Sequence, residues 1–182
     1  MNDKELPRGR KAAAWSVGLI TATLLGSLPA EAQMADPPHR DSQEAARAFT
    51  DHIERFLETV PLERQKFEVR ANRCQAPDGS MRDDIYTIWI GTRLVAANDD
   101  AGAVLEEVYA QWQDKGWTLT RDRRLDNGGV NIAAIEPGRE NVYSLDSGFH
   151  AGPQRIVVGY FNTPCYADPS GFVPFGALHK ND

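Results

Sequence analysis

Three tight-turn signatures cut the C-terminal half of the chain, and they constrain its fold more than any other feature. Asp126-Asn127-Gly128-Gly129, Glu136-Pro137-Gly138-Arg139 and His150-Ala151-Gly152-Pro153 place residues that accept turn conformations in short clusters. Between them run short segments rich in β-branched and aromatic residues: Trp117 onward, Val130 to Ile135, Asn141 to Phe149 and Arg155 to Phe161. Strands joined by such short turns pair antiparallel, because a parallel return needs a crossover of a dozen or more residues.

The preceding half is organised differently. Asp41 stands as an N-cap with Glu44 three residues on, the spacing of a capping box. Phe49, Ile53, Phe56, Leu57 and Val60 recur on one face of a helix over about 42–60, and Pro61 ends it. Phe67, Val69 and Ala71 alternate with polar residues toward Cys74, and Ile85 to Val95 reads as a central strand. Pro77-Asp78-Gly79-Ser80 between them has the chemistry of a hairpin turn. Asn98-Asp99-Asp100 offers caps for a second helix over about 100–115, with Val104, Leu105, Val108, Tyr109 and Trp112 as its apolar face and Gly116 at its C-terminal end. Two amphipathic helices need one apolar surface to cover. The expected fold is therefore α+β, a two-layer sandwich with a mainly antiparallel sheet of five or six strands and two helices on one face.

Residues 1–32 have the pattern of a bacterial export signal. Lys4, Arg8, Arg10 and Lys11 precede the uncharged run Ala12 to Leu28, Pro29 breaks it, and Ala30-Glu31-Ala32 is a small-x-small cleavage site. The alternative is an uncleaved anchor over residues 12–30, with the domain outside in either case. Residues 33–40 read as a spacer, 41–166 as the single domain and 167–182 as an irregular tail. The expected location is secreted or extracytoplasmic.

The whole chain has 20 Lys and Arg against 26 Asp and Glu. Removing the four basic and three acidic residues of 1–32 leaves 16 and 23, a net charge near −7. Such a surface opposes nucleic acid and anionic lipid, so no nucleic-acid partner is expected, and the membrane is met only through an uncleaved N-terminal segment. Cys74 and Cys165 are the two cysteines. In an oxidising compartment an even count points to a disulfide, with two buried free thiols as the alternative.

By the second helix, the Gly116-Trp117 step and the closing Asn162-Thr163-Pro164-Cys165, the chain resembles a loose group of small secreted proteins and lipoproteins of high-GC actinobacteria, over about residues 41–166. Most of these have no assigned activity, so the resemblance implies no site residue. Its lipoprotein members carry a lipidated cysteine after the signal, and this chain has none there. The element order is also similar to a cone-shaped, nuclear-transport-factor-2-like fold, which implies a pocket between helices and a curved sheet.

Candidate chemistry is sparse. His39 falls in the spacer, His52 at the edge of the first helix's buried face, His150 in a turn and His179 near the C-terminus. No catalytic residue is assigned. Asp83-Asp84 and Asp99-Asp100 lack the alternation a calcium loop needs, so neither a metal nor a cofactor is expected. Arg121, Arg123 and Arg124 form a small basic cluster. The aromatics Trp89, Trp112, Trp117, Tyr143 and Tyr160 are expected to build the core, or else a lined pocket or contact patch. The functional expectation is an exported, non-catalytic binding or interaction domain for an extracytoplasmic protein or small ligand. The alternatives are an extracytoplasmic hydrolase and a small-ligand carrier. A histidine beside a carboxylate in a concave pocket favours the hydrolase, an exposed aromatic patch the binding module, and a closed aromatic cavity the carrier. The oligomeric state is not legible.

Overall fold

The computed structural model describes residues 36–97, 100–149 and 155–178. The export segment, His150 with its turn, and His179 lie outside the described residues. Helix α1 spans Ser42–Leu57 and α2 spans Ala101–Asp114. The strands are β1 (Leu62–Gln75), β2 (Met81–Ala96), β3 (Thr118–Arg124), β4 (Val130–Ile135), β5 (Val142–Asp146), β6 (Ile156–Asn162), β7 (Tyr166–Ala167) and β8 (Gly176–Ala177).

The fold is α+β, with both helices packed on one open antiparallel sheet. Its order is β3-β4-β5-β6-β2-β1-β8, with β7 also paired to β2. Among the described residues the sheet therefore has eight strands rather than five or six. The two additional strands are two residues each and come from the C-terminal segment expected to be irregular. Val173 between them is fully buried, and Phe175 and Leu178 pack against the core.

Local sequence explains the element ends. The Asp41 side chain accepts the Glu44 amide at 2.8 Å and Asp100 accepts the Ala103 amide at 2.9 Å, satisfying one orphan N–H at each helix start. Helix α1 stops at Leu57, three residues before the expected end, and Pro61 follows. Helix α2 closes on Gly116 at φ +71°, where an L side chain is strained. The Trp117 amide bonds the Trp112 carbonyl at 2.9 Å and the Gly116 amide bonds Gln113 at 3.0 Å. This is a Schellman ending, which favours an apolar contact between the same two residues. Trp112 and Trp117 supply it as a stacked pair, 5.3 Å between centroids and 6° between planes. The Gly-Trp step is thus a helix stop.

The central strand β2 is long enough to carry β1 on one side and β6 followed by β7 on the other. Its residues Tyr86, Ile88, Ile90, Leu94 and Ala96 are buried toward the helices, joined by Phe49, Ile53 and Leu57 of α1 and Leu105, Val108 and Trp112 of α2. Each such side chain contributes about 1.5–3 kcal/mol on full burial. Cys74 near the end of β1 and Cys165 just before β7 are joined by a disulfide, with Cα atoms 6.0 Å apart. It lies where the β6–β7 edge is interrupted. No described helix is long and apolar enough to cross a membrane.

Candidate functional site

Helix α1 carries Ala45, Ala48, Phe49, His52 and Arg55 along one flank of its buried stripe. This flank forms a wall of a groove of about 420 Å³. Arg40, from the segment entering α1, closes one end. Gly138, Arg139 and Asn141 of the β4–β5 turn, Thr163 of the β6–β7 connection and Tyr166 of β7 complete the lining.

Each wall is held by named contacts. The Arg40 amide bonds the Ala167 carbonyl at 2.9 Å, the Ala167 amide bonds Pro38 at 3.0 Å, and the Tyr86 hydroxyl donates to the Arg40 carbonyl at 2.9 Å. The spacer end is thereby added to β7, and the Arg40 guanidinium lies 5.5 Å from the Tyr166 ring centroid. Thr163 is pinned through its amide to the Ile88 carbonyl and through its hydroxyl, which accepts the Ile88 amide, both at 3.0 Å. The neighbouring Cys165 ties this wall to β1. In the β4–β5 turn, Glu140 adopts φ +58°, an uncommon conformation for a non-glycine residue that costs of order 1 kcal/mol. The same turn sets Glu136, Arg139 and Asn141 against His52.

Glu136 is 8% exposed and both of its carboxylate oxygens are engaged. Its Oε2 accepts Asn141 Nδ2 at 2.8 Å and lies 3.0 Å from His52 Nε2 and 3.4 Å from the Tyr143 hydroxyl. Its Oε1 accepts Arg139 at 3.0 Å. The Tyr143 hydroxyl lies 2.8 Å from the same Nε2. A carboxylate oxygen 3.0 Å from an imidazole nitrogen requires a proton between them. The network therefore assigns the proton to His52 Nε2, with Tyr143 donating to Glu136. His52 Nδ1 makes no hydrogen bond to a described residue, and His52 lines the groove. The Tyr143 phenol is pushed well above its ordinary pKa, first by burial and then by the Glu136 charge and their hydrogen bond.

Charge sets this groove apart. In a chain with more carboxylates than basic groups, its lining holds three arginines and a histidine and no carboxylate. Arg139 is paired to Glu136. Neither Arg40 nor Arg55 forms an ion pair with a described residue. A larger groove, about 750 Å³ between α1 and β1, is lined by Arg47, Asp51, Glu54, Arg64, Lys66 and Glu68 among others. There the charges are mixed and offset one another, as in Arg64 with Glu54 at 2.8 Å, so size alone does not select it.

The five aromatics singled out from sequence separate into two groups. Trp112, Trp117 and Tyr143 join Phe56 and Phe161 in an edge-and-stack cluster, with Trp117 and Tyr143 centroids 4.7 Å apart and Tyr143 and Phe161 5.2 Å apart. They fill the helix–sheet interior rather than line a cavity. Trp89 and Tyr160 stack at 5.8 Å on the sheet face opposite the two described helices, with Tyr160 43% exposed. The Trp89 ring lies over Gly91, where a Cβ would sit 2.1 Å from it. Arg124 of the basic cluster pairs with Glu106 and Asp122, and Arg121 bonds Asn131 and Ser144 at 3.2 and 3.1 Å. Both have structural partners. Asp83 pairs with Arg73, and Asp84 with Arg82 at 2.6 Å. His39 forms an isolated bridge with Ala167. Among the described residues no group of His, Cys, Asp and Glu could hold a metal ion.

Sequence reasoning placed His52 at the edge of a buried face, where its side chain is 21% exposed. It missed Glu136 and Arg139, which read as turn residues, Asn141, which read as the start of a strand, and Arg40, which read as part of the spacer. No protein-family model matches the chain, and neither does any curated protein or solved structure.

Proposed function

We propose that the protein is an exported, non-catalytic binding domain working outside the cytoplasm, and that its ligand site is the groove around His52. The disulfide supports the location, since such bonds persist in oxidising compartments. One observation carries the site. His52, Arg40 and Arg55, the two arginines without an ion-pair partner among the described residues, line one preformed concavity whose walls are hydrogen-bonded in place. Concave sites of about 300–1,000 Å³ with a few placed polar groups are the usual form of small-ligand sites. The test is amide shift mapping of the ¹⁵N-labelled protein against a fragment set of carboxylates, phosphates, amines and polyols. Hits should move residues 136–141 and 163–166. Hits confined to Trp89 and Tyr160 would replace the groove with the open sheet face as the binding surface.

One observation favours a hydrolase as second reading: His52 and Glu136 supply the histidine beside a carboxylate at a concave groove that the sequence expectation ties to a hydrolase. Glu136 holds His52 through Nε2, the arrangement that frees the other nitrogen to act as a general base. The Thr163 hydroxyl is engaged with the Pro164 carbonyl and the Ile88 amide and does not suit a covalent route, so the attacking group in this reading is water. Turnover of chromogenic ester or phosphate substrates that disappears in His52→Gln would establish it.

A further inference from the structure

We infer that the His52 groove recognises a small dianion, with carboxylate or phosphate groups as the part it reads. This deepens the proposal that the groove is the ligand site and rests on it. The first ground is charge balance. Arg40, Arg55 and Arg139 line the groove, and Glu136 behind it offsets one of them. Two positive charges remain with His52 neutral, and three with it protonated. The lining contains no carboxylate to oppose an anion. The carboxylates at the start of α1 are already engaged: Asp41 with the Glu44 amide, and Asp168 with the Ser42 amide and with Ser170.

The second ground is that two of the cations, Arg40 and Arg139, are held by named contacts. Arg40 extends from backbone locked to β7 and to Tyr86, and rests against the Tyr166 ring. Arg139 is aimed by Glu136. Guanidinium groups present paired N–H donors that match a carboxylate or phosphate in two-point contact. The third ground is that Glu136 accepts from His52, Asn141, Tyr143 and Arg139, so its carboxylate sits behind the lining rather than in it. The groove volume, about 420 Å³, suits a compact metabolite-sized molecule rather than a polymer.

The experiment is calorimetric titration of the full chain at fixed ionic strength with inorganic phosphate, succinate, glucose and ethylenediamine, with amide shifts read in parallel. Phosphate or succinate should bind and move residues 136–141 and 163–166, while glucose and ethylenediamine do not. Preference between phosphate and succinate separates the two headgroups. Arg40→Gln and Arg55→Gln should each weaken the bound anion about tenfold or more, as expected for a charge-assisted hydrogen bond. Arg47→Gln, on α1 but lining the other groove, should leave affinity unchanged, and unaltered melting curves exclude unfolding as the cause. Glucose or ethylenediamine binding in the groove as well as the anions, or anion binding indifferent to Arg40 and Arg55, overturns the dianion inference while leaving the groove as a ligand site. If no probe moves the groove residues, the reading of the groove as a ligand site falls, and the dianion inference with it.

Discussion

Replacing both cysteines by serine tests how the domain is held together. The bridge joins residues 91 apart, and the chain-entropy model gives about 4–5 kcal/mol for a loop of that length. Both cysteines are only half-buried, so the serine hydroxyls reach water and little desolvation cost is added. Residual structure in the denatured chain reduces the figure, and a loss of about 3–4 kcal/mol is expected against a total of about 5–15 for a domain. Urea unfolding followed by tryptophan fluorescence and far-ultraviolet circular dichroism measures it. With a slope of about 2 kcal/mol/M, the midpoint should fall by roughly 1.5–2 M. The slope itself should rise, because an uncrosslinked denatured chain exposes more surface. Hydrogen exchange should accelerate most at the Thr163 and Ala167 amides, which hold the wall beside Cys165. A loss below about 1 kcal/mol with an unchanged slope would refute the entropic reasoning. It would mean that the two ends already meet in the denatured chain.

Other perturbations have defined outcomes. Tyr86 and Tyr143 have raised phenol pKa values, chiefly through burial. Their stabilisation is intact below the ordinary tyrosine pKa and is lost as pH rises toward the folded values. Alkaline absorbance titration should thus show both phenols silent until the protein unfolds. Asp168→Ala should cost about 1–2 kcal/mol at neutral pH, because Asp168 accepts the first amide of α1 at 2.8 Å. Burial raises the Asp168 pKa, but hydrogen bonds from Ser170 and Ser42 outweigh it and leave the group below its ordinary value. The stability gap should therefore be full above the ordinary carboxylate range and close as pH falls through the depressed value, as read by melts at stepped pH. Glu136→Leu should destabilise by about 1–3 kcal/mol in the same melts, since buried Asn141 loses its acceptor.

What the sequence made legible was local. Asp41, Asp100, Gly116 and the Asp126–Gly129 turn act where they stand in the chain, and each ends an element as expected. Strands β7 and β8 were not legible. Two residues carry no periodicity, and their pairing is decided by where β2 and β1 have already placed a free edge. The insertion of β6 beside β2 is likewise a long-range choice. The site divides in the same way. His52 showed itself by its place on a helical stripe. Its partner lies 84 residues away in a turn whose Glu-Pro-Gly-Arg composition has a sufficient local explanation. Arg40 looked like part of a spacer because its anchoring strand, β7, had no signal of its own. Among the aromatics, composition did not separate Trp112, Trp117 and Tyr143 in the interior from Trp89 and Tyr160 on the open face. That separation depends on strand register.

The most direct measurement is the imidazole spectrum of His52 in protein labelled with ¹⁵N-histidine, recorded during titration with phosphate and with succinate. Nε2 should keep the signature of a protonated nitrogen bonded to Glu136, while Nδ1, which carries no proton in the free protein, takes one up from solvent to donate to the bound anion, so that its resonance moves and saturates. An Nδ1 resonance that stays fixed while amides elsewhere on the surface respond would contradict the assignment of the ligand site to this groove.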